Sequence, residues 1–353
     1  MNHFAECFKA LNKAYGKPLV TGLLRQSPED FFVEEILGFE PEGEGEHVFL
    51  WVEKRGSNTQ FVADKIAELA GVPARQVSFS GMKDRWAVTR QWFSVQLPGI
   101  ADPDWQQLND DEITVLKTQR HLKKLRRGVH RGNRFRLTLR EVEGDIDALM
   151  ARAAEIADSG VPNYFGEQRF GRGFSNMSSA VRWFEGAFKP RRNQQGLFLS
   201  AARSFVFNEV LSARVAAGTW NRALDGELFM LNGTHSIFAS DEPDMPSRMA
   251  TADVHATGPM YGKAGALSVS DQVAAIEQSI IEHYPVLTEG MIAQGLKSER
   301  RSLRLLAENL QVKHLPNERA LVFDFALPSG AFATAVLAEL VDYQNVASSP
   351  ASE

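Results

Sequence analysis

Lys83, Asp84 and Arg85 stand side by side shortly after Gly81, within the stretch Ser78-Phe-Ser-Gly-Met-Lys-Asp-Arg-Trp-Ala-Val-Thr-Arg90. Three adjacent charges are too costly to bury unpaired, so this turn is expected to face water or a cleft, with Gly81 permitting a tight reversal before it. A carboxylate between two cations is favoured as the anion, and an anionic Asp at a loop tip is suited to act as a nucleophile or a general base. The same residue in a glycine-containing turn is also ordinary turn chemistry, so the triplet alone assigns no function.

The surrounding elements are of a kind that holds a loop still. Gln76 to Ser80 reads as a short strand entering the turn, and Gln91 to Leu97 as the strand leaving it. Upstream, Phe31-Phe-Val33 and His47 to Glu53 are β-prone and flank the Gly-rich loop Glu42 to Glu46. Ser57, Asn58 or Thr59 is placed to cap a helix with Val62, Ile66 and Leu69 on one face, ended by Gly71 and Pro73. Downstream, Phe135, Leu137 and Leu139 alternate with Arg134, Arg136, Thr138 and Arg140, the pattern of a strand with one apolar and one cationic face. Asp145 can cap the helix that follows, so residues 20–158 read as an α+β domain on a mostly antiparallel sheet.

Beyond Ser159 the pattern is harder to read. Val161 to Gly173 mixes aromatics, glycines and arginines and reads as a structured loop, with helices over Asn176–Glu185, Ala201–Ala216, Gln272–His283 and Ser298–Asn309. Asp225 to Ala239 resembles short strands, and Asp241 to Tyr261 shows no period. Ala320 to Leu327 is strand-like and leads into a helix to about Val341, while Tyr343 to Glu353 reads as a tail. A lone strand and helix cannot bury themselves, so they are expected to complete the first sheet. The chain then divides into 1–158 plus 307–353, with 159–306 inserted.

Length and composition narrow the class. The 353 residues suffice for about two domains. No run approaches the roughly 18 apolar residues of a membrane helix, and the N-terminus lacks a basic segment followed by an apolar one, so a cytoplasmic location is expected, with no membrane partner. Cys7 is the single cysteine and the eight His are scattered, which excludes an intrachain disulfide and a cysteine-cluster metal site. The net charge is −5, yet Lys117 to Arg140 holds ten Lys/Arg and no acid, leaving −15 for the rest of the chain. Such a stripe suits a phosphate backbone. No metal is expected from the scattered His, and neither a phosphate loop, a dinucleotide fingerprint nor the glycine-rich cofactor loop that a methyltransferase would need is present, so no motif calls for a cofactor.

Five segments in order, SPEDFFVEEI, GMKDRWAVT, GNRFRLTLR, VPNYFGEQRFGRG and LPSGAFATAVLAEL, resemble the TruD family of tRNA pseudouridine synthases over about Thr21 to Leu340. The resemblance implies a pseudouridine-synthase-like α+β catalytic domain with a mostly antiparallel sheet. It also implies an inserted α/β TRUD domain, giving two lobes with an RNA cleft. It implies isomerisation of uridine to pseudouridine in tRNA, at position 13 of the D arm in bacterial members, with Asp84 as the catalytic residue. Phe31, Asn133 and Phe332 are implied as substrate contacts, although the residues by themselves read as core for the two Phe and as a turn residue for Asn133. Arg25 stands where the family carries a lysine and is the implied basic residue near the site, with Lys83 beside Asp84. Arg169, Arg172, Arg191, Arg192, Arg300 and Arg301 are further candidates for RNA contact. The expected partner is tRNA, with no obligate protein partner and a monomeric chain. The alternatives are an RNA-binding or RNA-chaperone protein, and a synthase of the same fold acting on another RNA.

Overall fold

The computed structural model describes residues 3–348. The expected alternation appears in the strand Gly132–Gly144, where Phe135, Leu137 and Leu139 are buried and Arg134 and Arg136 are exposed. That strand lies within a ten-stranded sheet whose order is Glu308–Leu315, Ala320–Pro328, Gly132–Gly144, Phe31–Ile36, Val88–Gln96, His47–Arg55 and Ile113–His121. Val20–Leu24 joins the far half of Gly132–Gly144 and carries Val341–Asn345 on its other side, while Val77–Phe79 pairs with Val88–Gln96. Among the described residues, only Val20–Leu24 with Val341–Asn345 and Phe31–Ile36 with Val88–Gln96 run parallel in this sheet. The protein is therefore a mixed α/β fold with a mostly antiparallel main sheet, and the late strand Ala320–Pro328 does complete it.

The chain divides into two compact units. One takes in residues 19–157, 307–330 and 340–348, and the other 3–18, 158–306 and 331–339. In the sheet unit, Val48, Leu50 and Val52 pack with Val62, Ala63 and Ile66 of the helix Thr59–Leu69, each large aliphatic side chain contributing roughly 1.5–3 kcal/mol of burial. Phe49, Trp92, Leu37 and Leu125 form a separate cluster.

The other unit is built on the 25-residue helix Arg192–Ala216, packed with the helix Ser175–Phe184 and with a four-stranded antiparallel sheet. That sheet runs Ile237–Ala239, Leu228–Leu231, Val254–Met260, Glu299–Ser302. Its core gathers Phe170, Phe174, Trp183, Phe205, Met291 and Leu303.

Three local expectations are overturned, and one stretch without a readable period resolves into elements. The aperiodic stretch Asp241–Tyr261 contains the helix Met245–Ala250 and the buried strand Val254–Met260, whose Gly258 is required because a Cβ there would sit 2.8 Å from Leu303 and 2.9 Å from Phe207. Ser298–Asn309 is not helical but forms the strands Glu299–Ser302 and Arg304–Leu305 and begins Glu308–Leu315. There Arg300 and Arg304 turn inward to Glu277 and to His255, partners that apolar periodicity does not reveal. Tyr343 is not in a tail but in a strand, because Val341–Asn345 adds in parallel to Val20–Leu24; residues 349–353 lie outside the described residues. None of Ser57, Asn58 and Thr59 makes a side-chain cap to the helix Thr59–Leu69.

Arg214 and Glu227 form a 2.8 Å ion pair with both side chains 1% exposed. Arg214→Met strands a buried carboxylate, and a loss of about 3–5 kcal/mol is expected in denaturant unfolding, whereas the double change Arg214→Met, Glu227→Leu should recover most of it.

Candidate active site

Asp84 lies on the coil between Val77–Phe79 and Val88–Gln96. Gly81 in this coil does not adopt the left-handed region; a Cβ there would instead meet the His130 ring at 3.4 Å. Fixation of the coil falls to side chains from neighbouring elements. Thr59 Oγ1 accepts from the Lys83 main-chain N–H at 3.0 Å and donates to Gln91 Oε1, while Gln91 Nε2 donates to the Gly81 carbonyl. The hydroxyl expected to cap a helix is thus spent on the turn. Beyond Asp84, Arg85 Nε donates to the Gly56 carbonyl, and Trp86 Nε1 donates to the Arg25 carbonyl at 3.2 Å.

Beneath the turn lies Lys54, fully buried on the strand His47–Arg55. Its Nζ donates to the Ser57 carbonyl at 2.7 Å and to the Asp84 carbonyl at 2.9 Å. Burial lowers its pKa to about 8, against the attraction of Asp84 and with the repulsion of Lys83. Sequence reasoning did not single out Lys54; a lysine inside the apolar run HVFLWVEKR was the available signal.

The Asp84 carboxylate is 41% exposed and takes a 2.6 Å ion pair from Arg25. Arg25 itself has a left-handed backbone at φ 63° and lays its guanidinium 3.7 Å from the Phe31 ring centroid. Phe31 is buried against Phe135 and so supports Arg25 from below. Lys83 does not flank the carboxylate as its sequence neighbourhood suggests. It turns inward, 3.0 Å from Glu35 Oε2 and 2.7 Å from Asn133 Oδ1. Burial raises the Glu35 pKa, and Lys83 opposes that rise. His130 is held between Ser80 and Ser329, its Nδ1 2.5 Å and its Nε2 3.2 Å from the two hydroxyls, and burial with the nearby Lys83 lowers its pKa to about 4.

Arg25, Phe31, Lys83, Asp84 and Asn133 are therefore brought together within the sheet unit. Phe332 belongs to the other unit. There it packs edge-on to Phe165 at 5.7 Å, with Arg169 5.4 Å from each ring centroid and Arg301 4.2 Å from that of Phe165. Burial and the neighbouring Arg169 lower the Arg301 pKa to about 10. Arg300 is committed to Glu277 and Thr257, while Arg172, Arg191 and Arg192 are exposed.

The acid-free segment 117–140 is less cationic in three dimensions than in one. Arg134 and Arg136 share Asp324, Arg140 reaches Asp30, Arg131 reaches Glu308 and Arg120 reaches Asp102. Among the described residues Lys117, Lys123, Lys124, Arg126 and Arg127 are exposed and make no ion pair.

Lys54 couples this site to pH. Between its folded pKa of about 8 and the ordinary lysine value of 10.5 the unfolded chain holds more protons than the folded one, so stability rises with pH across that window. Below about 8 both states are protonated and the contribution is level. Relative to Lys54→Met, the wild type should gain on the order of 2 kcal/mol between about pH 8 and pH 10, read by denaturant unfolding at several pH values.

The family model described as tRNA pseudouridine synthase D (TruD) matches residues 13–179 and 174–340. A tRNA pseudouridine synthase D from Hydrogenovibrio crunogenus is 44% identical over 331 residues, covering 93% of this chain and 95% of the relative. One from Pseudomonas fluorescens is 46% identical over 332 residues, covering 94% of each. The solved structure of a Methanosarcina mazei protein assigned to tRNA pseudouridine synthase D superposes with a TM-score of 0.71 at 22% identity, covering 93% of this chain and 95% of that one, and shows the shared fold.

Proposed function

This chain belongs to the TruD family of tRNA pseudouridine synthases, and from that premise we propose that it isomerises uridine to pseudouridine in the D arm of tRNA, at position 13, with Asp84 as the reacting carboxylate. The observation that carries the assignment is a half-exposed carboxylate on a turn that neighbouring side chains hold in place, with one guanidinium 2.6 Å away. The reaction breaks the bond from C1′ to N1 and joins C1′ to C5, while the C5 proton is lost and N1 gains one. Atoms and electrons balance without an oxidant, a reductant or a hydrolytic water. A carboxylate serves either route, attack on the sugar or base as a nucleophile or removal of the 2′ proton.

A uridine stacked in an RNA helix is out of reach of Asp84, so the base must leave the stack. Arg25 orients the carboxylate, and Phe31 acts as a positioning residue by supporting the Arg25 guanidinium. Asn133 is the proposed reader of the base edge. In the other unit Phe332, with Arg169 over its ring, is the proposed aromatic contact for RNA. The proposed working form is a cytoplasmic monomer in which residues 19–157 and 307–330 supply the chemistry. No helix among the described residues is long and apolar enough to cross a membrane.

Asp84→Asn is expected to lower pseudouridine formation by at least about 10²-fold while leaving tRNA affinity nearly unchanged, read by carbodiimide mapping and by a binding isotherm on unmodified tRNA. Retained turnover would sink the assignment to Asp84; tight binding without turnover in the wild type would point to an RNA-binding protein. Phosphate binding is assigned to Lys123, Lys124, Arg126 and Arg127, four exposed cations that follow the strand Ile113–His121 and make no ion pair among the described residues. Replacing them by alanine should weaken binding to all tRNA sequences alike and lower the slope of log K against log salt by about 1 for each cation that engages a phosphate.

A further inference from the structure

We propose that the buried Glu35–Lys83 pair locks the Asn133 side-chain amide with its NH2 group toward the base, and that this fixed donor selects uracil over cytosine. The inference rests on the reading of Asp84 as acting on a flipped pyrimidine.

An asparagine amide presents an acceptor at one end and two donors at the other, so its orientation decides which base edge it reads. Here the orientation is forced. Lys83 carries only N–H donors, and its Nζ lies 2.7 Å from Asn133 Oδ1; the reversed amide would set donor against donor. Lys83 cannot easily swing away, because its side chain is 6% exposed and its other partner, Glu35 Oε2 at 3.0 Å, has no exposed side-chain surface. Glu35 is in turn fixed by its second oxygen, which accepts from the Trp92 main-chain N–H at 3.3 Å. The backbone adds to this rigidity. Asn133 sits opposite Glu35 on one side of its strand and opposite Leu327 on the other. The Nδ2 group makes no hydrogen bond among the described residues, and Asn133 is bonded to the side chain that immediately precedes Asp84 in the chain.

Uracil and cytosine differ at C4, an acceptor oxygen in the first and an amino group in the second. A fixed donor facing C4 pairs with uracil and opposes the cytosine amino group. The same donor also suits the reaction. A half-turn of the detached base about its N3–C6 axis brings C5 to the place of N1 and exchanges O4 with O2, so an acceptor oxygen meets Asn133 before and after the turn. Cytosine, with an amino group at C4 and an oxygen only at C2, offers it at one of the two positions.

The test uses the full chain and two unmodified tRNA transcripts that differ only by uridine or cytidine at the target position, with the ratio of their dissociation constants as the readout. The wild type should favour the uridine transcript by about tenfold or more. Asn133→Asp keeps one oxygen on Lys83 and turns a second acceptor outward, so the preference should fall to about unity or invert. The double change Lys83→Gln, Glu35→Gln offers Asn133 an acceptor as well as a donor, frees the amide to reverse, and should bring the ratio within about twofold of unity. Lys83→Arg, again a donor only, should hold the preference. An unchanged ratio in Asn133→Asp, or in the double variant with a wild-type circular dichroism spectrum and thermal unfolding, would overturn the proposal. Pseudouridine formation by the wild type on the uridine transcript, scored in the same preparation, separates the outcomes. Turnover with unchanged ratios removes this inference alone, and absence of turnover removes the functional reading and this inference with it.

Discussion

Lys54 is fully buried, and its two acceptors are main-chain carbonyls rather than a carboxylate. Burying a cation in this way is costly unless its hydrogen bonds are made, and the two carbonyls it satisfies are those of Ser57 and Asp84. One ammonium therefore ties the start of the helix Thr59–Leu69 to the residue on which the proposed chemistry depends. Thr59 and Gln91 continue the same fastening to Lys83 and Gly81. The consequence is a coil that has no regular secondary structure of its own yet is held by elements of the sheet beneath it. Such holding is what positions a reacting group within the fraction of an ångström that catalysis needs.

The charges above and below the turn are sorted by burial. Arg25 faces the half-exposed Asp84, where solvent moderates the pair, whereas Lys83 is paired with Glu35 inside the protein. The stripe of cations on Gly132–Gly144 shows a related sorting. Asp324 on the adjacent strand Ala320–Pro328 takes both Arg134 and Arg136, so two of the most regular cations in the sequence stabilise strand pairing and are not free charges. Positive charge without an ion pair is left to Lys117, Lys123, Lys124, Arg126 and Arg127, which are exposed and available to a polyanion.

The other unit solves a different problem with the same residue type. Arg214 and Arg300 are buried with Glu227 and Glu277, and Arg304 is buried with His255 and two main-chain carbonyls. Arg301 lies over the Phe165 ring and bonds Asn163 Oδ1. The planar guanidinium, with its fork of donors, suits these sites where a lysine would satisfy fewer acceptors. These inward arginines explain why a sequence rich in Arg around residue 300 reads as a polar helix while the chain folds there as short strands.

The amino-acid sequence by itself determined the alternating strand at Phe135, Leu137 and Leu139, the helix at Val62 and Ile66 and the prominence of Asp84, because each is written in local periodicity or in adjacent residues; the return of Ala320–Leu327 to the first sheet followed instead from the inability of a lone strand to bury itself. Only the tertiary structure decided which charge meets which. Arg25 is 59 residues from Asp84, Lys54 is 30 residues from it, and Glu35 and Asn133 meet through Lys83 from separations of 48 and 50. Val341–Asn345 likewise became a strand through its pairing with Val20–Leu24 and not through any pattern of its own. Hydrophobic periodicity is a short-range code, and it survives being read along the chain. Polar pairing depends on what lies within about 3 Å in space, and that distance is set only when the sheet has closed.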